Sequence, residues 1–309
     1  MKPARLLWLA LLPPLAACNR SASQVAAPIT RTPAATVSAT DAAKPFRPPP
    51  ESAIPDDDFG KQVALGRQIF MEPGRYAKAY VGNSLSCENC HLDAGRLAHS
   101  APLWGAYPMY PAYRSKNHHV NTFAERLQGC FRYSMNGNAP PLGDPVLVAL
   151  ESYAYWMSKG EPVGAAPPGH GYLKLPKPRL APDYARGETI FKRDCALCHG
   201  GNGQGQQVAG HTVFPPLWGP QSFNWGAGME QINNAAGFIK ANMPLGQGNT
   251  LTDQDAWDVA YFMDAHERPQ DPRFNGSIST TRAAYHDTSD SLYGSTVNGH
   301  VLGQGTTWP

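Results

Sequence analysis

Two copies of the pattern Cys-x-x-Cys-His constrain this chain more than any other feature. They read CENCH at residues 87–91 and CALCH at residues 195–199. Each pattern is typical of covalent haem attachment, in which two thiols bind the vinyl groups of one haem and the histidine becomes the proximal iron ligand. We therefore predict two covalently bound haem c groups, attached through Cys87, Cys90 and His91 and through Cys195, Cys198 and His199.

A zinc site and a disulfide are the alternative interpretations of these motifs. A zinc ribbon pairs two Cys-x-x-Cys motifs about 15–20 residues apart. Here the first cysteines of the two motifs, Cys87 and Cys195, lie 108 residues apart. A lone motif would also fit a thioredoxin-like redox pair, but two motifs that both end in histidine favour a dihaem cytochrome c.

The first residues predict export and lipid anchoring. Lys2 and Arg5 form a charged start, residues 6–15 are mostly apolar, and Cys18 follows two alanines. This order is typical of a bacterial lipoprotein signal, and an ordinary secretory signal with an incidental cysteine is the alternative. We predict a signal peptide over residues 1–17 and a protein of the bacterial periplasm that is attached to a membrane by lipid at Cys18.

Amino-acid composition predicts whether the next segment folds, and net charge bears on the kind of partner. Residues 18–55 are rich in Ala, Ser, Thr and Pro, and such a segment cannot bury enough apolar surface to fold. We predict a disordered tether there, extended by its prolines. Asn19 after the lipidated cysteine favours the outer membrane. The net charge is +2, and two positive charges belong to the signal, so nothing indicates a nucleic-acid partner.

The remaining chain contains an internal repeat. The pattern Gly-x-x-Ile-Phe precedes each haem motif, Pro-Leu-Trp-Gly follows each motif, and Pro-Leu-Gly comes later in each half. The repeated segments are residues 66–70 and 187–191, residues 102–105 and 216–219, and residues 141–143 and 244–246. A predicted helix closes each half, over residues 144–159 and 253–266.

An opening helix, a haem motif, a loop and a closing helix form the plan of a mono-haem cytochrome c. We therefore predict a mainly α fold with two cytochrome c-like haem domains in tandem. The first covers residues 56–160 and the second residues 181–269. Residues 161–180, rich in Gly and Pro, form the linker. Residues 270–309 form a polar C-terminal extension that either wraps over the domains or is partly loose.

The second closing helix allows a more detailed prediction. Thr252 is expected as its N-cap, with Asp255 at the third helical position. Ala256, Val259, Ala260 and Met263 recur at helical spacing and are expected on one buried face. The aromatic residues of both closing helices are expected to pack in the core and against haem; they are Tyr155, Trp156, Tyr261 and Phe262.

The two halves differ at the expected sixth iron ligand. In the second half, Met243 precedes the Pro-Leu-Gly segment, where a cytochrome c places its methionine ligand, and thioether ligation would give an electron-transfer haem. A core methionine is the alternative interpretation, and Met229 is the second candidate. In the first half Pro140 occupies the aligned position, so the expected methionine is missing.

Cysteine counting draws attention to Cys130. Lipid and haem account for five of the six cysteines, which leaves Cys130 without a partner. Arg126 and Arg132 flank it and would stabilise a thiolate. A small buried thiol is the equal alternative from composition alone. The other candidate ligands in this half are Met135, Met109, His99, His118 and His119.

The stretch from YPAYR at residues 110–114 to CFRYSMNG at residues 130–137 resembles the thiosulfate dehydrogenases. These are periplasmic dihaem cytochromes that couple thiosulfate to tetrathionate. The resemblance covers both haem halves and part of the extension, but not the signal or tether. It implies that His91 and Cys130 ligate the catalytic haem and that His199 and Met243 ligate the relay haem.

The resemblance also implies substrate-binding residues and an overall reaction. Arg126 and Ser134 match family positions near the substrate, Arg114 and Lys116 match nearby positions, and Tyr133 is assigned no role. Two thiosulfate ions would be oxidised to tetrathionate. The electrons would pass from the His/Cys-ligated haem to the His/Met-ligated haem and on to a cytochrome c or another periplasmic acceptor.

Three other functions stay open from the sequence. One is a dihaem electron-transfer protein without a substrate of its own, and another is a dihaem peroxidase with an open haem. A cysteine between arginines argues against both. The third is tetrathionate reduction as the main direction of the family reaction.

Overall fold

The computed structural model describes residues 46–208 and 211–306. The predicted signal peptide, the lipid site at Cys18 and most of the tether lie outside these residues. Within them, no helix has the length and apolar character that crossing a bilayer requires. The predicted disorder of the tether does not extend to its last residues, because Phe46 packs on Trp104 with ring centroids 5.7 Å apart.

The first haem module is mainly helical. Its helices are α1 Asp58–Met71, α2 Pro73–Tyr76, α3 Leu92–Gly95, α4 Leu103–Ala106, α5 Phe123–Gly129 and α6 Pro145–Met157. A π-helical turn, Cys130–Ser134, continues α5, and an antiparallel hairpin of β1 (Ala112–Arg114) and β2 (His119–Asn121) precedes it. Helix α6 begins two residues before Leu147 because Asp144 caps it by accepting a hydrogen bond from the Val146 amide at 2.9 Å.

The second haem module repeats this order and continues into the C-terminal extension. Its helices are α7 Tyr184–Ile190, α8 Ala196–His199, α9 Ile232–Asn242 and α10 Asp253–Asp264. A π-helical turn spans Phe191–Cys195, and β3 (Gln206–Val208) pairs with β4 (His211–Phe214). The extension contributes α11 (Ile278–Tyr285) and a short hairpin of β5 (Thr296–Val297) and β6 (His300–Val301).

A repeated glycine explains how each opening helix crosses its closing helix. A Cβ atom on Gly66 would lie 2.0 Å from the backbone oxygen of Ala149 in α6. A Cβ atom on Gly187 would lie 2.1 Å from the backbone oxygen of Asp258 in α10. No side chain fits at such distances, so the glycine of the Gly-x-x-Ile-Phe repeat lets the α1–α6 and α7–α10 pairs pack backbone to backbone.

The predictions for the second closing helix are confirmed. The Thr252 hydroxyl accepts a hydrogen bond from the Asp255 amide at 3.1 Å, and the Asp255 carboxylate accepts one from the Thr252 amide at 3.2 Å. The predicted apolar face is buried. In the first closing helix the prediction for Tyr155 is wrong, since its side chain is 46% exposed and meets only the edges of Phe59 and Tyr107.

Of the two possibilities for the C-terminal extension, the structure shows wrapping over residues 270–306. Tyr293 and Leu302 are fully buried, and the Tyr293 ring packs edge-on against Trp225 of the second module at 5.6 Å. Buried polar side chains of the extension pair with one another and with the second module, as His286 does with Asp271 at 3.0 Å and with Glu230 at 3.4 Å.

Candidate active site

The two motif histidines are oriented in the same way. Nδ1 of His91 lies 2.7 Å from the carbonyl oxygen of Ala101, and Nδ1 of His199 lies 3.0 Å from that of Pro215. A carbonyl only accepts, so Nδ1 carries the proton and Nε2 keeps its lone pair for a metal. Each acceptor directly precedes Pro-Leu-Trp-Gly. The repeat of that tetrapeptide was therefore a signal for histidine orientation, which sequence reasoning missed.

Burial favours the neutral forms of both motif histidines and of Cys90 and Cys195. It lowers the pKa of His91 to about 4 and lowers the pKa of His199 as well. It raises the pKa values of Cys90 and Cys195, each to about 12. Neutral imidazoles suit iron ligation.

A cavity of about 430 Å³ opens on the second motif. Its wall includes Cys195, Cys198, His199 and Met243, and the rest of the lining is mainly apolar. Two thiols, an imidazole and a thioether around an apolar space fit a covalently bound haem, and these are the residues that would hold it. Met229, the second candidate of the sequence, also lines this cavity.

The first motif lies at the same cavity. Cys90 and Leu92 form part of its wall, together with Phe238 of the second module. The two attachment motifs, 108 residues apart in the chain, are therefore neighbours in space. Such an arrangement brings the two haem positions close to each other.

Cys130 lies close enough to the two cysteines of the first motif to influence them electrostatically. Burial raises the pKa values of Cys87 and Cys90, and the negative charge of Cys130 adds to the effect on both thiols. The three thiols are therefore close enough to interact electrostatically. Together with the His91 imidazole, they are the groups of this module that would hold a haem c.

Three of the other candidate ligands of the first half differ in exposure. His118 and His119 are exposed on the β1–β2 hairpin, where His119 meets Glu125 at 3.2 Å. Met135 is buried in the hydrophobic core.

Arg126 and Cys130 form a pair. Nη1 of Arg126 donates a hydrogen bond to Sγ of Cys130 at 3.0 Å, and the negative charge of Cys130 raises the pKa of the guanidinium. The pair spans the junction between α5 and the π-helical turn, whose Met135 amide donates to the Cys130 carbonyl at 3.0 Å. A π-helical turn inside a helix is frequently a functional position.

Arg114 and Ser134 lie around this pair. Nη1 of Arg114 donates to the Tyr110 hydroxyl at 2.8 Å. The pKa of Arg126 is raised first by Cys130 and also by Tyr110, which places that phenol close to the pair. Ser134 ends the π-helical turn, and its carbonyl accepts a hydrogen bond from Asn83 at 2.9 Å. The structure thus gathers these predicted residues on one side of the first module.

Lys116 connects the first module to the second. Its Nζ donates to the carbonyl oxygen of Gly226 and lies 4.9 Å from the centre of the Tyr133 ring. Burial lowers the pKa of the ammonium to about 8. Repulsion from Arg273 and Arg126 adds to that effect, whereas Glu230 opposes it. Lys116 is therefore close enough to Arg126 for their charges to interact.

A loop of the second module reaches the π-helical turn Cys130–Ser134, and sequence reasoning missed it. Nδ2 of Asn224 donates to the carbonyl oxygen of Arg132 at 2.9 Å. Asn83 donates to the carbonyl oxygens of both Ser134 and Ser222, at 2.9 and 3.1 Å. A Cβ atom on Gly226 would lie 2.4 Å from the Tyr133 ring. No local sequence pattern indicates these long-range contacts.

These features define a class of protein: a c-type cytochrome with two haem domains in tandem, one of which carries a cysteine–arginine pair. Family models agree on both halves. Residues 74–163 match "SoxA/TsdA, cytochrome c domain", and residues 182–263 match "Cytochrome C oxidase, cbb3-type, subunit III". The predicted mainly helical fold with two cytochrome c domains is confirmed, and such domains imply haem c.

Relatives that match most of the chain identify the family within this class. The thiosulfate dehydrogenase of Thiomonas intermedia (strain K12) is 66% identical over 258 residues, which is 84% of this chain and 82% of the relative. That of Stutzerimonas stutzeri (strain A1501) is 55% identical over 262 residues, which is 84% of this chain and 85% of the relative. The chain belongs to the thiosulfate dehydrogenase family, as the sequence predicted.

A solved structure agrees with the fold. The thiosulfate dehydrogenase TsdBA from Marichromatium purpuratum, in its as-isolated form, matches with a TM-score of 0.83 and 48% identity. The match covers 86% of this chain and 59% of that longer chain.

Proposed function

We propose that this protein is a dihaem enzyme that oxidises two thiosulfate ions to one tetrathionate ion. The observation that carries this proposal is the hydrogen bond of 3.0 Å from Arg126 to Cys130, whose charge also influences the Cys87 thiol of the first haem motif. The names of the relatives support the substrate and the direction, since they are called dehydrogenases.

The reaction releases two electrons, and two haem sites match that number. His91 and Cys130 in the first module and His199 and Met243 in the second would hold haem c, which would supply one-electron redox chemistry at each site. A thioether ligand raises the potential and suits a relay. The neighbouring positions of the two motifs around one cavity support transfer between them.

The sulfur of Cys130 can carry the sulfur–sulfur chemistry. A bond forms between the Cys130 thiolate and the outer sulfur of thiosulfate, and two electrons leave as the S-thiosulfonate forms. A second thiosulfate then attacks the outer sulfur of that adduct, because thiolate exchange proceeds by attack on a sulfur–sulfur bond. Tetrathionate departs and the Cys130 thiolate is restored, so atoms and charges balance.

Fixed cations lower the repulsion between the dianions. Arg126 binds the sulfonate end, because a planar guanidinium matches such oxygens with two parallel hydrogen bonds. Lys116 and Arg114 add positive charge to the same side of the module, and the Ser134 hydroxyl donates a further hydrogen bond. Tetrathionate reduction would use the same groups in reverse.

The proposed cellular setting follows from the N-terminus. Lipid at Cys18 would anchor the enzyme to a membrane on its periplasmic side. The predicted tether would connect this anchor to the haem modules. A cytochrome c or another periplasmic carrier would accept the electrons.

The test compares the wild-type enzyme with Cys130→Ser in thiosulfate-dependent reduction of a cytochrome c acceptor, with tetrathionate measured as product. Intact mass should show two haems on both proteins, because the substitution leaves residues 87–91 and 195–199 unchanged. We expect turnover to fall to background in Cys130→Ser. Full turnover in that variant, together with an altered first haem in Met135→Ala, would exclude Cys130 as the reacting sulfur, whereas no thiosulfate turnover in the wild type would favour the electron-carrier interpretation.

A further inference from the structure

The C-terminal extension brings a buried group of charges to the second module. Nη2 of Arg273 lies 2.6 Å from the Asp271 carboxylate, and Nε2 of His286 lies 3.0 Å from the same carboxylate. Nδ1 of His286 lies 3.4 Å from Glu230, which belongs to the second module. All these side chains are buried apart from Arg273, which is 15% exposed. Burying charges is costly unless each has a partner, so these contacts fix the side chains closely.

The same arginine reaches the first module. Its guanidinium carbon lies 5.0 Å from the centre of the Tyr133 ring, and its Nη1 donates to the carbonyl oxygen of Lys116 at 3.4 Å. On the other side the guanidinium carbon is 4.1 Å from the centre of the Tyr285 ring. Arg273 is thus held by the extension and contacts Tyr133, which belongs to the π-helical turn Cys130–Ser134, and Lys116.

Tyr133 lies between two cations. The ammonium of Lys116 and the guanidinium of Arg273 both lie about 5 Å from the centre of its ring. Tyr133 is three residues after Cys130, so displacement of its ring would move the π-helical turn or the lysine. Asp271 pairs with Arg273, and the charges of Glu230 and Asp271 favour the charged form of Lys116, so both cations have acidic groups nearby.

We propose that Arg273 is a positioning residue of the anion site: through Tyr133 and the backbone of Lys116, it holds Lys116 against the π-helical turn that carries Cys130. The inference rests on the proposed function, in which that anion is thiosulfate. Arg273 itself contacts no reacting atom. The extension would therefore be part of the substrate-binding apparatus, although none of its residues enters the reaction.

The test uses Arg273→Met in the full-length, haem-loaded enzyme. We expect the KM for thiosulfate to rise about tenfold, which corresponds to about 1.4 kcal/mol, while kcat changes by less than about twofold. Arg273→Lys keeps the positive charge but loses the forked geometry of the guanidinium. We expect its KM for thiosulfate to lie between those of the wild type and Arg273→Met. This gentler variant also serves if Arg273→Met does not fold.

Arg282→Met is the matched control. Arg282 belongs to the same extension and bonds to the carbonyl oxygens of Ser291 and Tyr293, away from Tyr133. We expect its KM to equal that of the wild type. Hydrogen–deuterium exchange without substrate gives a second readout: exchange over residues 112–121 should rise in Arg273→Met and not in Arg282→Met.

A double variant tests whether Arg273 acts through Lys116. Coupled residues show non-additive effects, so Lys116→Met combined with Arg273→Met should have the KM of Lys116→Met alone. The inference would be overturned if the KM increases of Lys116→Met and Arg273→Met multiplied in the double variant. It would also be overturned if Arg282→Met raised the KM as much as Arg273→Met, or if both Arg273 variants had the wild-type KM. Absence of thiosulfate turnover in the wild type would instead overturn the proposed function, and the exchange experiment would still report on the positioning.

Discussion

Nη1 of Arg126 lies 3.0 Å from Sγ of Cys130, one helical turn further along the chain. Residues four apart share a face of a helix, so the backbone itself aims the cation at the sulfur. The start of α5 is fixed by a capping box, in which Thr122 accepts from the Glu125 amide at 3.2 Å and Glu125 accepts from the Thr122 amide at 2.7 Å. The cation and the sulfur are therefore placed as one unit.

Removing this cation should weaken substrate binding more than it disturbs the fold. For Arg126→Met we expect kcat/KM for thiosulfate to fall roughly 10- to 150-fold, the range for losing a hydrogen bond to a charged group. Steady-state kinetics with a cytochrome c acceptor measures this. Arg132→Met is the control, because Arg132 is an exposed arginine of the same turn. Equal losses in the two variants would contradict a specific role for Arg126.

The charge of Lys116 should give thiosulfate binding a pH dependence. Burial lowers the pKa of its ammonium to about 8, so the positive charge is present below that pH and is lost as the pH rises through it. The KM for thiosulfate should therefore rise as the pH increases from about 7 to 9. In Lys116→Arg the guanidinium stays charged over this range, and the rise should disappear. A rise of the same size in Lys116→Arg would assign it to another group.

The sequence predicts the parts of this molecule that depend on near neighbours in the chain. Covalent haem attachment requires two cysteines and a histidine close together, and the N-cap of α10 requires Thr252 and Asp255 three residues apart. The burial of Ala256, Val259, Ala260 and Met263 follows from helical spacing for the same reason. These features are fixed by local geometry, so a linear pattern contains them.

Contacts between distant segments are not contained in such patterns. The hydrogen bond from Asn224 to Arg132 joins residues 92 positions apart, and no local pattern contains both residues. The resemblance assigned no role to Tyr133, yet its ring contacts both Lys116 and Arg273. The polar composition of the extension concealed its burial, because composition does not show that its charges pair internally.

The repeated glycines should be among the positions of the fold most sensitive to a single methyl group. Gly66→Ala and Gly187→Ala would each place a Cβ atom about 2 Å from a backbone oxygen of the closing helix, which must then shift. Overpacking of this kind costs about 1–3 kcal/mol of unfolding free energy. Urea unfolding followed by far-UV circular dichroism measures it.

Gly74→Ala is the matched control for these two variants. Gly74 lies in α2, is exposed, and has open space where its Cβ atom would be. We expect this change to be neutral or slightly stabilising, since alanine favours a helix. A loss of stability in Gly74→Ala as large as in the other two variants would show that the helix crossing does not set the effect.

Met243 should set the potential of the second haem. Met243→Ala removes the thioether that we propose as its axial ligand, and since thioether ligation raises the potential, the midpoint of this haem should fall. Spectroelectrochemical titration of the wild type and the variant measures both midpoints, and the midpoint of the first haem should stay unchanged because Met243 lies in the second module.

Met229→Ala is the control that separates ligation from packing. Met229 lines the same cavity as Met243 and His199, so its loss makes a comparable hole in the same wall. We expect that change to lower stability and to leave the midpoint of the second haem close to the wild-type value. If instead Met229→Ala produced the large fall and Met243→Ala did not, the axial ligand would be Met229. The C-terminal end of α9, where Met243 lies, would then have a packing role.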